Sequence, residues 1–235
     1  MLARLTRRAL AVAVCLVVAT ASEACAEVRY YGLIFGSQSS PKRLKYTHTW
    51  ATFIRAEGEG TDPNGYTLSL ITISWLPRTL EVKVLRPWPE PGVNLDLYQT
   101  LQAMYANDEN VTMWGPFVMQ EQVFERARAI AGILESGLAQ YRAIDGPANA
   151  LVTDCIHAVS AIDPQFGRTR YPLIRIGVPA SRHIARQVMM RSALDQTEGD
   201  HSWLIGRLGL DRYPIRFVSP REIPERPCLL CNCPE

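Results

Sequence analysis

The run Tyr46-Thr47-His48-Thr49-Trp50-Ala51-Thr52-Phe53-Ile54-Arg55 decides the fold of this 235-residue chain. Its β-branched and aromatic residues suit a pleated, half-buried strand better than a helix. Gly58, Gly60 and the turn Asp62-Pro63-Asn64-Gly65 end it, and the strand pattern resumes over residues 66–76. Pro77 then separates a third segment, residues 80–85, so residues 46–85 read as a β-meander.

Helical periods take over beyond the meander. Residues 86–92 hold Pro87, Pro89 and Pro91 and read as a loop, after which Asn94 is placed to cap a helix with Leu97, Leu101, Met104 and Tyr105 on its apolar face. Residues 111–114 are strand-like. Val123, Ala127, Ile130, Leu134, Leu138 and Tyr141 recur at helical spacing and predict a long helix over residues 120–143, broken by Asp145-Gly146-Pro147. A short helix opens at Cys155 and stops at Asp163-Pro164, because the residue before a proline disfavours helix. Residues 173–176 read as a buried strand, and Ser181 as the cap of a helix carrying Ile184, Val188 and Met189. The organisation is a leader over residues 1–26, one α+β domain over 27–218 and a Pro/Cys-rich tail over 219–235, with no internal repeat.

Arg4, Arg7 and Arg8 precede a short apolar run, and Ala24-Cys25-Ala26 supplies small residues for cleavage, so residues 1–26 read as an export signal. The expected location is periplasmic or extracellular, with association to the envelope as a variant of it. Cys25 as a lipid-attachment site would want an aliphatic residue where Ser22 stands. The chain has 25 basic and 23 acidic residues, and the leader holds three of the former and Glu23, so the remainder is electrically balanced. With no long basic run, nucleic acid is excluded as a partner class and an anionic membrane surface has little to attract.

Four cysteines follow the leader. Cys228, Cys231 and Cys233 crowd the end of the chain and read as one disulfide with an odd thiol; a metal clip there lacks a nearby fourth ligand. No two histidines have the spacing of a helical metal pair, so neither a metal nor another cofactor is expected. Cys155 stands alone in the body. A helix start and a neighbouring imidazolium both lower a thiol pKa, whereas Asp154 opposes ionisation; the plain alternative is a small apolar core residue. His48 offers the imidazole, its plain alternative being a strand histidine beside Trp50. His157 lies about 200° around a helix from Cys155 and is expected to point away into a structural hydrogen bond. His201 competes with His48, His183 reads as exposed, and the tryptophans at 50, 75, 88, 114 and 203 read as core and loop anchors.

The segment Asp154-Cys155-Ile156-His157 resembles the Asn-Cys-Glu-His signature of lecithin:retinol-acyltransferase-like proteins, matching at the cysteine and the following histidine. A strand histidine ahead of a helix cysteine is similar to the circularly permuted group of NlpC-type enzymes, which reverses the usual papain-like order. As a pattern the resemblance spans residues 46–165. It implies a papain-like α+β fold with an antiparallel sheet against helices, Cys155 as nucleophile, His48 as general base and a third polar residue on the next strand. A hairpin folding near residues 61 and 62 brings positions 74 and 75 opposite His48, which selects Ser74. The Cys155 N–H then helps to hold an oxyanion. The function so implied is thiol-dependent hydrolysis or acyl transfer at an amide or ester, on a cell-wall peptide or a lipid acyl group. The rival is a non-enzymatic envelope protein that binds a ligand or partner and keeps Cys155 in its core.

Overall fold

The computed structural model of the protein describes residues 27–60, 62–144, 151–163, 176–191 and 201–223. The leader, the Asp145-Gly146-Pro147 break, residues 173–175 and the three tail cysteines lie outside the described residues.

Alternation along the chain builds a sheet that is apolar on both faces. The central strand, β1 (Glu27–Ser39), lies in none of the segments expected to be strands; it pairs antiparallel with β2 (Thr47–Gly58), from Glu27 opposite Gly58 to Gln38 opposite Thr47. With β3 (Thr67–Ile73), β6 (Glu109–Met119) and β9 (Ile215–Val218) it makes a five-stranded sheet in the order β3-β2-β1-β6-β9, antiparallel except for β6 and β9. A second sheet runs β4 (Trp75–Pro77), β5 (Glu90–Asn94), β7 (Gln140–Tyr141) and β8 (Val152–Thr153). Tyr31, Leu33, Phe35, Trp50 and Ile54 turn to one face of the main sheet, where helices α1 (Leu97–Ala106) and α5 (Trp203–Arg207) cover them. Ile34, Ala51 and Phe53 turn to the other, under α2 (Glu121–Glu135), α3 (Cys155–Ser160) and α4 (Val178–Arg191). The architecture is α+β, with helices on both faces of a mostly antiparallel sheet.

Several boundaries differ from the sequence reading, each for a local reason. Residues 80–85 are not a strand: Pro77 ends β4 and Leu80 has φ 58, so the chain turns away. Instead β5 forms inside the proline-rich segment, because Gly92 has no Cβ to strike Trp75, which would lie 2.0 Å away. The cap of α1 is Asp96, not Asn94; its carboxylate accepts from the N–H groups of Tyr98 and Gln99, and the Gln99 side chain closes a capping box. Helix α2 ends at Glu135 although the apolar period continues, since Gly137 takes a left-handed φ of 79 and Tyr141 enters β7. Ser181 lies buried inside α4 rather than at its cap, with its Oγ 2.9 Å from Thr49 Oγ1. Residues 219–223, expected to open the tail, pack back onto the domain through buried Ile223.

Gly36 lets α4 approach the sheet: an added Cβ would sit 2.5 Å from Ser181 Oγ and 3.0 Å from the Val178 Cα. Gly36→Ala is therefore expected to lower stability by about 1–3 kcal/mol through overpacking, read as a lower urea midpoint at unchanged slope.

Candidate functional site

His48, Ser74 and Cys155 reach their positions through three different elements. On β2, alternation turns His48 to the same face as Trp50, on which its ring stacks with centroids 5.4 Å apart. The last β2–β3 pair is Ala51 with Ile73, so Ser74 sits where β3 leaves β2, and its hydroxyl lies 2.9 Å from His48 Nε2. Ser74 is held there by Asn94, whose Oδ1 accepts the Ser74 N–H at 2.8 Å and whose Nδ2 donates to Thr72 O, and by Leu95 N–H on Ser74 O. Cys155 is the first residue of α3, placed by β8, whose Thr153 carbonyl accepts the Trp75 indole N–H at 3.2 Å.

The sulfur of Cys155 lies against the backbone N–H of Thr49, one residue beyond His48, at the stretch of β2 that β3 no longer covers. No hydrogen bond joins Cys155 to His48. The His48 Nδ1 is buried without a partner. Cys155 opens onto a cavity of about 310 Å³, within the range of small-molecule sites, roughly 300–1,000 Å³. Its walls are Leu44 just before β2 and Thr47 at its start, Val82 and Val84 from the β4–β5 loop, Tyr141, Ala143 and Ile144 after α2, Ile176 and Gly177 before α4, and Asp154 to His157. Val82 also packs on the His48 face of the sheet, so the cavity lies at the strand ends where the two faces meet.

His157 makes the expected structural hydrogen bond, its Nδ1 2.6 Å from Asp154 Oδ2, and it also lines the Cys155 cavity. The first helical turn causes this, because the Asp154 cap accepts the His157 N–H and draws the ring back over the helix start. His201 is elsewhere, its ring 5.1 Å from that of Tyr31, beside a different hollow next to Gly115 and Pro116. His183 is half-buried rather than exposed, and Trp88 is 72% exposed rather than an anchor. Tyr141 is a polar cavity residue that the sequence reading assigned to a helix face. Among the described residues, no three His, Cys, Asp or Glu side chains gather as a metal site, and no helix is long and apolar enough to cross a membrane.

At rest the Cys155 thiol and the His48 imidazole are both neutral. Burial pushes the Cys155 thiol up to about 12, with the Asp154 carboxylate adding to it and the N–H groups of Thr49, Cys155 and Ile156 opposing. Burial likewise pushes His48 down to about 3. On the same face, Glu109 accepts from Ser37 Oγ at 2.6 Å, and burial lifts its carboxyl to about 7. Comparison with family models, with curated proteins and with solved structures gives no match.

Two outcomes follow from these shifts. Asp154→Asn keeps the cap but removes the carboxylate, so the pH midpoint for alkylation of Cys155 by iodoacetamide is expected to fall; an unchanged midpoint counts against the assigned cause. Between pH 6.5 and about 3 the unfolded chain protonates His48 and the folded chain does not, so stability is full above 6.5 and falls with pH through that window. Glu109 has the opposite sign, losing stability as pH rises from 4.5 to about 7. The difference between wild type and His48→Gln in urea titrations isolates the His48 slope, about 1.4 kcal/mol per pH unit at its steepest.

Proposed function

We propose that the protein is an exported thiol hydrolase or acyltransferase of the permuted NlpC type, acting on an amide or ester, with Cys155 as nucleophile, His48 as general base and Ser74 orienting the imidazole. The observation that carries this reading is Cys155 at the start of α3, its sulfur against the Thr49 N–H and open to a cavity of small-molecule size. His48, with Nε2 on Ser74 and Nδ1 unpartnered, faces the opposite side of β2, so its part in the step requires the strand end at Thr47 to shift. With Nε2–H donating to Ser74 Oγ, Nδ1 is the basic nitrogen. A substrate carbonyl entering the cavity meets the sulfur; once the strand end has brought His48 Nδ1 to it, the S–H proton passes to that nitrogen as the S–C bond forms, and the carbonyl oxygen becomes an oxyanion on the Cys155 N–H. The imidazolium returns that proton to the leaving amine or alkoxide as its bond to carbon breaks. Water, or a second acceptor in a transferase, then releases the thioester.

Because thiol and imidazole are neutral at rest, the ion pair forms only along the reaction, as substrate displaces water and charge develops. The same pair of shifts favours one other reading, a binding protein in which Cys155 is only cavity wall. The two separate on turnover. Against a panel of p-nitrophenyl esters and peptide amides, the wild type is expected to accumulate an acyl adduct on Cys155 by mass spectrometry. Cys155→Ser should abolish that adduct, and His48→Ala should lower kcat by about 10²–10⁴-fold. Turnover that survives His48→Ala refutes the assigned base, and ligand binding without any adduct supports the binding protein.

A further inference from the structure

Two exposed segments contribute to the cavity wall, residues 41–46 through Leu44 and residues 78–89 through Val82 and Val84. In the second, side chains alternate: Val82 and Val84 turn inward to line the cavity, while Lys83 and Leu85 turn outward. Leu85 is 87% exposed and Trp88 72%, the two most exposed large apolar side chains among the described residues. In the first segment Leu44 lines the cavity, and Arg43 and Lys45 stand exposed on either side of it, Lys45 with its ammonium 4.6 Å from the Tyr46 ring centroid. Of the carboxylates in the loop, Glu90 is turned inward onto Arg86 at 3.2 Å, and exposed Glu81 offsets one of the three positive charges. The overall charge balance of residues after the leader averages over this local cluster.

We propose that the mouth of the Cys155 cavity docks on an anionic phospholipid bilayer, with Trp88 and Leu85 entering the headgroup layer and Arg43, Lys45 and Lys83 lying over lipid phosphates. Tryptophan is favoured at the headgroup level, where its ring is half wet, and basic side chains gain from the negative surface potential. A protein partner suits the patch less well, because lysine is depleted at protein interfaces and the two apolar tips are set among cations rather than in a contiguous apolar core. Docking this way turns the cavity mouth to the bilayer. It does not depend on the reactivity of Cys155, so Cys155→Ser should bind as the wild type does.

The test is co-sedimentation of the full chain with vesicles of phosphatidylcholine alone or mixed with phosphatidylglycerol at three to one. The anionic vesicles are expected to bind at least ten times more strongly, the preference shrinking as salt screens it. Brominated lipid should quench an emission component that Trp88→Phe lacks. Leu85→Ser/Trp88→Ser should cut the partition coefficient about tenfold or more, and Arg43→Gln/Lys45→Gln/Lys83→Gln about 100-fold. All five side chains are exposed, so urea midpoints of the variants should match the parent. Equal binding to both vesicles, or binding that survives both sets of substitutions as leader-driven binding would, overturns the proposal. So does a dimer in light scattering that Leu85→Ser/Trp88→Ser abolishes while vesicle binding is absent.

Discussion

The pairing of β1 with β2 is the constraint on which the rest depends. Twelve consecutive residues of β1, from Glu27 to Gln38, face β2 without a break, and Phe35 stacks on its partner Trp50 with ring planes 1° apart. Both faces of this pair are buried, so each side chain belongs to one of two cores, and a slip of one residue would exchange them all. That register sends His48 toward Ser74 and turns Thr47 and Thr49 toward α3 and α4. Fully burying one large apolar side chain is worth about 1.5–3 kcal/mol, and the pair orients many at once, which is why the register does not drift.

The polar groups of the site are bought with that stability. His48 and Ser74 lie on the face of the sheet that also holds the Ser37–Glu109 pair, and burial holds the two ionisable members in their neutral forms near pH 6. Cys155 is neutral for the same reason. The helix start and three N–H groups favour its thiolate, yet the loss of water around the sulfur outweighs them, and Asp154 adds to that loss. A position at a helix N-terminus therefore does not by itself activate a thiol; solvent access decides which effect wins.

Much of this was legible in the residues. The strand character of residues 47–58, the hairpin at Asp62 to Gly65, the helix at Cys155, and the apolar faces of α1 and α2 all follow from local rules, and the hairpin arithmetic that places Ser74 near His48 needs only the turn position. Boundaries failed where a local pattern ran on past its packing: α2 stopped at Gly137 while the period continued to Tyr141, and the prolines of residues 86–92 concealed β5. The structural hydrogen bond of His157 was legible in its place on the helix, whereas its position on the cavity wall depends on the Asp154 carboxylate that holds its ring.

By itself the sequence determined which residues are strand, helix and turn over most of the described chain, because those choices rest on spacings of two to four residues and on turn chemistry. It also singled out Cys155 and His48 as candidates by their side-chain chemistry. Only the tertiary structure decided that β1 lies at the centre of the sheet, that Asn94 fixes Ser74, that His157 and Tyr141 share the cavity of Cys155, and that the exposed segments carrying Leu44, Val82 and Val84 both contribute to its wall. These depend on contacts between residues far apart in the chain and on how much water each group keeps, and neither is encoded in local spacing.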